Sequence, residues 1–108
     1  MPKRGEVWWV RLDPSQGSEI AKTRPCVVLS VDAINDRRRT VVMVPLSTSP
    51  NPHPPLLVQV TSGGRKVVAV VDQIRAVAKE RLVKRLDLLS QDDRTALEHA
   101  VQRILGFR

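Results

Sequence analysis

LLVQVTSGGRKVVAVVDQ, residues 56–73, decides the fold. Leu56 to Thr61 alternates in the manner of a half-buried strand. Lys66 to Gln73 is again rich in β-branched residues. Ser62-Gly63-Gly64-Arg65 lies between them. A tight hairpin turn needs positive φ at its centre, so a Gly-Gly pair between two such runs predicts a β-hairpin. Working back, Ser47 to Pro55 (STSPNPHPP) is too rich in proline for regular structure. Arg39 to Leu46 (RTVVMVPL) and Arg24 to Val31 (RPCVVLSV) read as strands, and the VVL centre of the latter suits burial on both faces. Asp32 to Arg38 reads as a polar turn, Asp13 to Thr23 as a loop, and Gly5 to Leu12 (GEVWWVRL) as the first strand. Beyond the hairpin, Arg75 to Leu89 is mixed: RAVA is β-like, while RLVKRLDLL fits a short helix or another strand. Ser90 and Asp93 have capping-box spacing and open a helix. Its face Ala96, Leu97, Ala100, Val101 and Ile104 should pack on the sheet, with Gly106 as the stop. The expected fold is mainly β, a small bent barrel or curled sheet capped by a C-terminal helix.

The 108 residues suit one domain, residues 1–108. Lys and Arg number 18 against 11 Asp and Glu, a net charge of +7. Residues 1–40 carry +3 and 65–85 carry +5, whereas 41–64 carry no charged side chain and 86–108 carry −1. A basic body of this kind draws polyanions, nucleic acid above all. The single cysteine, Cys26, excludes an intrachain disulfide and fits a reducing compartment. His53 and His99 have no zinc-like spacing with it, so neither a metal nor a cofactor is expected. No apolar run reaches the 18 or so residues of a membrane span, and MPKRGEVWW is no secretory signal. A cytoplasmic location and no membrane partner are expected.

Polar residues at strand ends are what remain for chemistry: Arg24, Ser47 and Thr48, and Asp72 and Gln73 at the end of the fifth strand. Trp8 and Trp9 face opposite ways on a strand, and core packing is the expectation for each. With no tyrosine and one phenylalanine, base stacking cannot be the main source of specificity.

The stretch RGEVWWVRLDPSQGSEIAKTRPCVVLS resembles the opening of the PemK/MazF family of toxin endoribonucleases. PLST at Pro45–Thr48 and DQIRAVAKERLVKRL at Asp72–Leu86 resemble it too, in the expected order. The resemblance implies a compact SH3-like barrel with added helices that dimerises. It implies cleavage of single-stranded RNA at short sequences without a metal or cofactor, and a cognate antitoxin that blocks the site. The family's essential arginine matches Arg24 and its essential threonine Thr48, while Glu19, Ser47, Asp72 and Gln73 fall where it places site-lining residues.

Metal-independent cleavage uses the 2′-hydroxyl as nucleophile, and charge grows on the phosphoryl oxygens. A guanidinium can hold two of those oxygens, and a threonine hydroxyl can add a donor. Arginine stays charged, so Glu19 or Asp72 would accept the proton. Lys22, Arg37, Arg38, Arg39, Arg65, Lys66, Arg75 and Lys79 are expected to contact phosphates. Two rival readings stand beside this one: a toxin of the same fold that poisons DNA gyrase without cutting RNA, and a plain basic RNA-binding module.

Overall fold

A computed structural model describes residues 1–12, 17, 22–48 and 51–107. Among these, seven strands and two helices follow in the order β1 (Glu6–Arg11), β2 (Thr23–Val28), α1 (Asp32–Arg37), β3 (Thr40–Ser47), β4 (Leu57–Ser62), β5 (Arg65–Val70), β6 (Arg75–Ala78), β7 (Leu82–Leu88) and α2 (Gln91–Leu105). The strands form one sheet in the order β4-β5-β3-β2-β1-β7, and β6 also pairs with β3. Every pairing is antiparallel.

Strand alternation gives the centre of the sheet two buried faces. On β2, Val27 joins a core with Val7, Val44, Leu46, Val60 and Leu97. Its neighbours Cys26 and Val28 join a second core with Val10, Val41, Met43 and Val77. The VVL stretch is therefore apolar on both sides, although β2 ends at Val28. On its far edge β3 forks: Thr40–Met43 pair with β6, and Leu46 and Ser47 pair with β5. Pro45, which has no N–H to give to a ladder, falls in the gap between the two pairings.

The hairpin expected from residues 56–73 is β4–β5, with Ser62 opposite Arg65. Gly63 and Gly64 have φ of +59° and +75°, the pair of positive values a type I′ turn requires. The fifth strand stops at Val70, and Val71–Gln73 form one 3₁₀ turn, so Asp72 and Gln73 do not end a strand as expected. The ambiguous Arg75–Leu89 resolves into β6, a 3₁₀ turn at Lys79–Arg81, and β7.

Residues 32–37 are a helix, correcting the expected polar turn. Polar anchors hold it, not an apolar stripe. Asn35 is fully buried and donates from Nδ2 to the Ser30 carbonyl at 2.8 Å. Its Oδ1 accepts from the Ser30 hydroxyl, whose oxygen accepts in turn from the Val42 N–H at 2.9 Å. Asp32 accepts from the Arg4 N–H at 2.7 Å.

In α2, the Ser90 hydroxyl accepts from the Asp93 N–H at 3.1 Å, half of a capping box. Asp93 turns its own carboxylate to the Thr61 N–H at 2.9 Å, tying the helix start to β4. Gly106, at φ +78°, closes the helix, with Phe107 N–H on the Gln102 carbonyl at 2.7 Å. Leu97 and Ala100 are buried, and Val101 and Ile104 pack on the first core, whereas Ala96 is exposed and lies off the packing face. Trp8 packs on the second core and donates from Nε1 to Glu6 at 3.1 Å. Trp9 is 37% exposed, so the core reading holds for Trp8 and not for Trp9.

Candidate active site

The Cys26–Pro45 register puts the start of β2 beside the end of β3. Arg24 lies two residues before Cys26 and Ser47 two after Pro45, and Thr48 follows. The three line a cavity of about 340 Å³ with Ser62, Arg65 and Asp87. Pro25, Leu46, Val67 and Leu86 supply its apolar surface. Arg24 and Ser47 are half-buried and Thr48 is exposed, so the cavity is lined by an arginine on a packed strand and a threonine at the rim. Two arginines and one carboxylate leave the lining cationic, as an anionic substrate needs.

Asp87 is the one carboxylate lining this cavity among the described residues. Its Oδ2 accepts from the Gly63 N–H at 2.7 Å. That bond, with the Leu88 N–H, the Ser62 hydroxyl and the Arg85 charge, outweighs desolvation and holds its carboxyl below the ordinary value. Cys26, two residues from Arg24, is the opposite case. Burial pushes its thiol up to about 12 against the pull of Arg75, so it stays protonated. The thiol donates to the Arg24 carbonyl at 3.8 Å and is no nucleophile.

The sequence-predicted site residues divide. Arg24, Ser47, Thr48 and Arg65 meet at the cavity, and Lys66 is the exposed next residue on β5. Asp72 and Gln73 sit on the 3₁₀ turn and do not line it. Glu19 lies outside the described residues. Lys22 is exposed at φ +66°, its carbonyl accepting from the Leu12 N–H at 2.8 Å. Arg75 stands on β6 opposite Met43. Arg37, Arg38 and Arg39 are exposed before β3, and the Lys79 N–H donates to the Arg39 carbonyl at 2.8 Å. Ser47 ends that strand, seven residues on from Thr40 and at most about 23 Å from it at the extended rise per residue, and Thr48 follows. His53 and His99 are exposed, and among the described residues no three of His, Cys, Asp and Glu gather as a metal site.

Sequence reading missed Asp87, because nothing in RLDLL says which strand edge its carboxylate will meet. It also missed Arg11. The Arg11 Nη2 donates to the Glu80 carbonyl and Arg81 Nη1 to the Arg11 carbonyl, both at 3.3 Å, bounding a polar cavity beside Thr23.

Residues 3–105 match the family model described as PemK-like, MazF-like toxin of type II toxin-antitoxin system. The chain is 34% identical over 111 residues to Endoribonuclease MazF9 of Mycobacterium tuberculosis, covering 94% of each. It is 36% identical over 78 residues to Endoribonuclease toxin MazF of Escherichia coli K12, covering 72% of this chain and 69% of that one. The crystal structure of MazF (Form-I) from Deinococcus radiodurans superposes with a TM-score of 0.85 at 25% identity, covering 98% and 97% of the two chains. An endoribonuclease in complex with its cognate antitoxin, from a mycobacterial species, has the same fold at a TM-score of 0.84, with 22% identity over 100% and 98% of the chains. A seven-stranded curled sheet with a C-terminal helix, a cationic cavity at the β2–β3 strand ends and this set of relatives lead to one assignment: the chain belongs to the PemK-like, MazF-like toxin family of type II toxin–antitoxin systems.

Proposed function

We propose that this chain is a toxin endoribonuclease that cuts single-stranded RNA in the cavity around Arg24 and Thr48. The observation that carries the reading is their convergence on one cationic cavity, Arg24 from β2 and Thr48 from just past the end of β3. The scissile phosphate sits between the Arg24 guanidinium and the Thr48 hydroxyl. The 2′-oxygen attacks the adjacent phosphorus and the bond to the 5′-oxygen breaks. The products are a 2′,3′-cyclic phosphate and a 5′-hydroxyl. One proton leaves the 2′-hydroxyl and one reaches the departing 5′-oxygen. Arg24 binds two phosphoryl oxygens in its planar fork as they gain charge, and Thr48 donates to one of them. These donors come from the protein, so the step runs without a metal. Asp72 is off the cavity lining, so of the two carboxylates expected from the sequence Glu19 is the one to test for proton acceptance.

The chain acts as a homodimer in the cytoplasm and is neutralised by a cognate antitoxin. The neighbour solved with its antitoxin supports that kind of partner. The gyrase-poison alternative draws no support from the relatives, whose names are those of endoribonucleases. Binding of RNA without scission is the other outcome to test. Purified protein is incubated with a long defined RNA in excess EDTA, and cut sites are mapped by primer extension. Discrete cuts at a shared short motif, with cyclic-phosphate ends, are expected. Intact RNA from folded protein overturns the reading.

A further inference from the structure

The β4–β5 turn forms part of the cavity wall, and it is held from outside its own hairpin. A Cβ built on Gly63 or Gly64 would have nothing within 4 Å, so the tip has little packing of its own. Asp87 on β7 takes the Gly63 N–H at 2.7 Å. β4 and β7 stand at the two ends of the strand order, so this contact joins the ends of the sheet beside the cavity. Arg65 follows the tip directly and lines the same cavity.

A carboxylate facing Arg24 and Thr48 across a cavity invites a role as the base. Its bonding argues otherwise. The Gly63 N–H already occupies its Oδ2 at 2.7 Å, and the polar groups beside it, led by that N–H, hold its carboxyl below the ordinary value. An acceptor so engaged is a weak base. We propose that Asp87 is a positioning residue that fixes the Ser62–Arg65 turn as one wall of the RNA cavity and aims Arg65 at a phosphate flanking the cut. This rests on the cavity being the RNA site.

The test is single-turnover cleavage of a short RNA containing the mapped motif, in EDTA, over a range of protein concentration. Asp87→Ala should raise the half-saturating concentration roughly ten- to a hundredfold, the effect of losing one charge-assisted contact. The rate at saturation should stay within about threefold, because Arg24 and Thr48 are untouched. Asp87→Asn should stay near wild type, since its amide oxygen still accepts from the Gly63 N–H. Arg65→Ala should match Asp87→Ala, and the double variant should be no worse than Arg65→Ala alone. Asp87→Ser, too short to reach Gly63 but still polar, gives the same readout if the alanine variant does not fold. Wild-type saturation in Asp87→Ala or Asp87→Ser, or independent losses in the double variant, overturns the proposal. A wild type that neither binds nor cuts RNA overturns the site reading and this inference together. A wild type that cuts, beside unchanged Asp87 variants, overturns the inference alone.

Discussion

In the proposed cleavage step Arg24 does what a lysine in its place could not. Its planar guanidinium would offer two parallel donors to two phosphoryl oxygens and stays charged, whereas an ammonium is a single point of charge. Near the start of the same sheet, Glu6 shows what the fold does to a carboxylate. Burial raises its pKa, but the Lys3 N–H, the Trp8 indole and Arg85 outweigh that and hold it below its ordinary 4.5. Arg85 Nε is 2.7 Å from its Oε2. A depressed folded-state pKa contributes stability above the unfolded value that is lost as pH falls through the folded one. Asp87, lowered first by the Gly63 N–H, acts in the same direction. We expect the melting temperature to be level from pH 7 to 5 and to fall below about pH 4.5, where these carboxyls protonate. Glu6→Gln should flatten that fall in thermal scans. An unchanged acid limb in Glu6→Gln would show that Glu6 is not its source.

Elements differ in how far the sequence discloses them. The β4–β5 hairpin was legible because a Gly-Gly pair between two alternating runs permits little else. β2 was legible from its VVL centre, and α2 from its apolar spacing and caps. α1 was not, since Ala33 and Ile34 are exposed and a single buried asparagine faces inward. What makes residues 32–37 helical is a hydrogen-bond set to Ser30 and the β3 backbone, which exists only once the chain has folded. Asn35→Ala leaves the Ser30 carbonyl without its amide donor in a buried setting, a loss of about 1–3 kcal/mol. At ~4–8 °C per kcal/mol for a domain of this size, the melting temperature should fall by several degrees or more. A shift under one degree would contradict that account. The proposed site is half legible for a related reason. Arg24 and Thr48 could be placed by resemblance, but whether Asp72 or Asp87 meets the cavity depends on how the sheet curls.

Across the whole molecule the net charge of +7 is spread over more than one surface. Arg65 and Lys66 belong to the cavity end of β3, whereas Arg37–Arg39 and Lys79 stand at its other end. Replacing all three of Arg37, Arg38 and Arg39 by alanine should therefore weaken binding of a long RNA and flatten its salt dependence, each lost phosphate contact removing about one unit of slope. Cleavage of a short RNA that spans only the motif should stay within about threefold, since no catalytic donor is lost. A large loss on the short substrate would bring the triplet into the site.

The most direct measurement is the single-turnover cleavage rate of that short RNA, in EDTA, by wild type, Arg24→Ala and Thr48→Ala, each matched for fold by circular dichroism. Each substitution removes a donor to the developing charge, so each should slow the chemical step by about 10²–10³ at saturating protein. Rates within a few-fold of wild type in either folded variant would contradict the assignment of Arg24 and Thr48 as the catalytic pair.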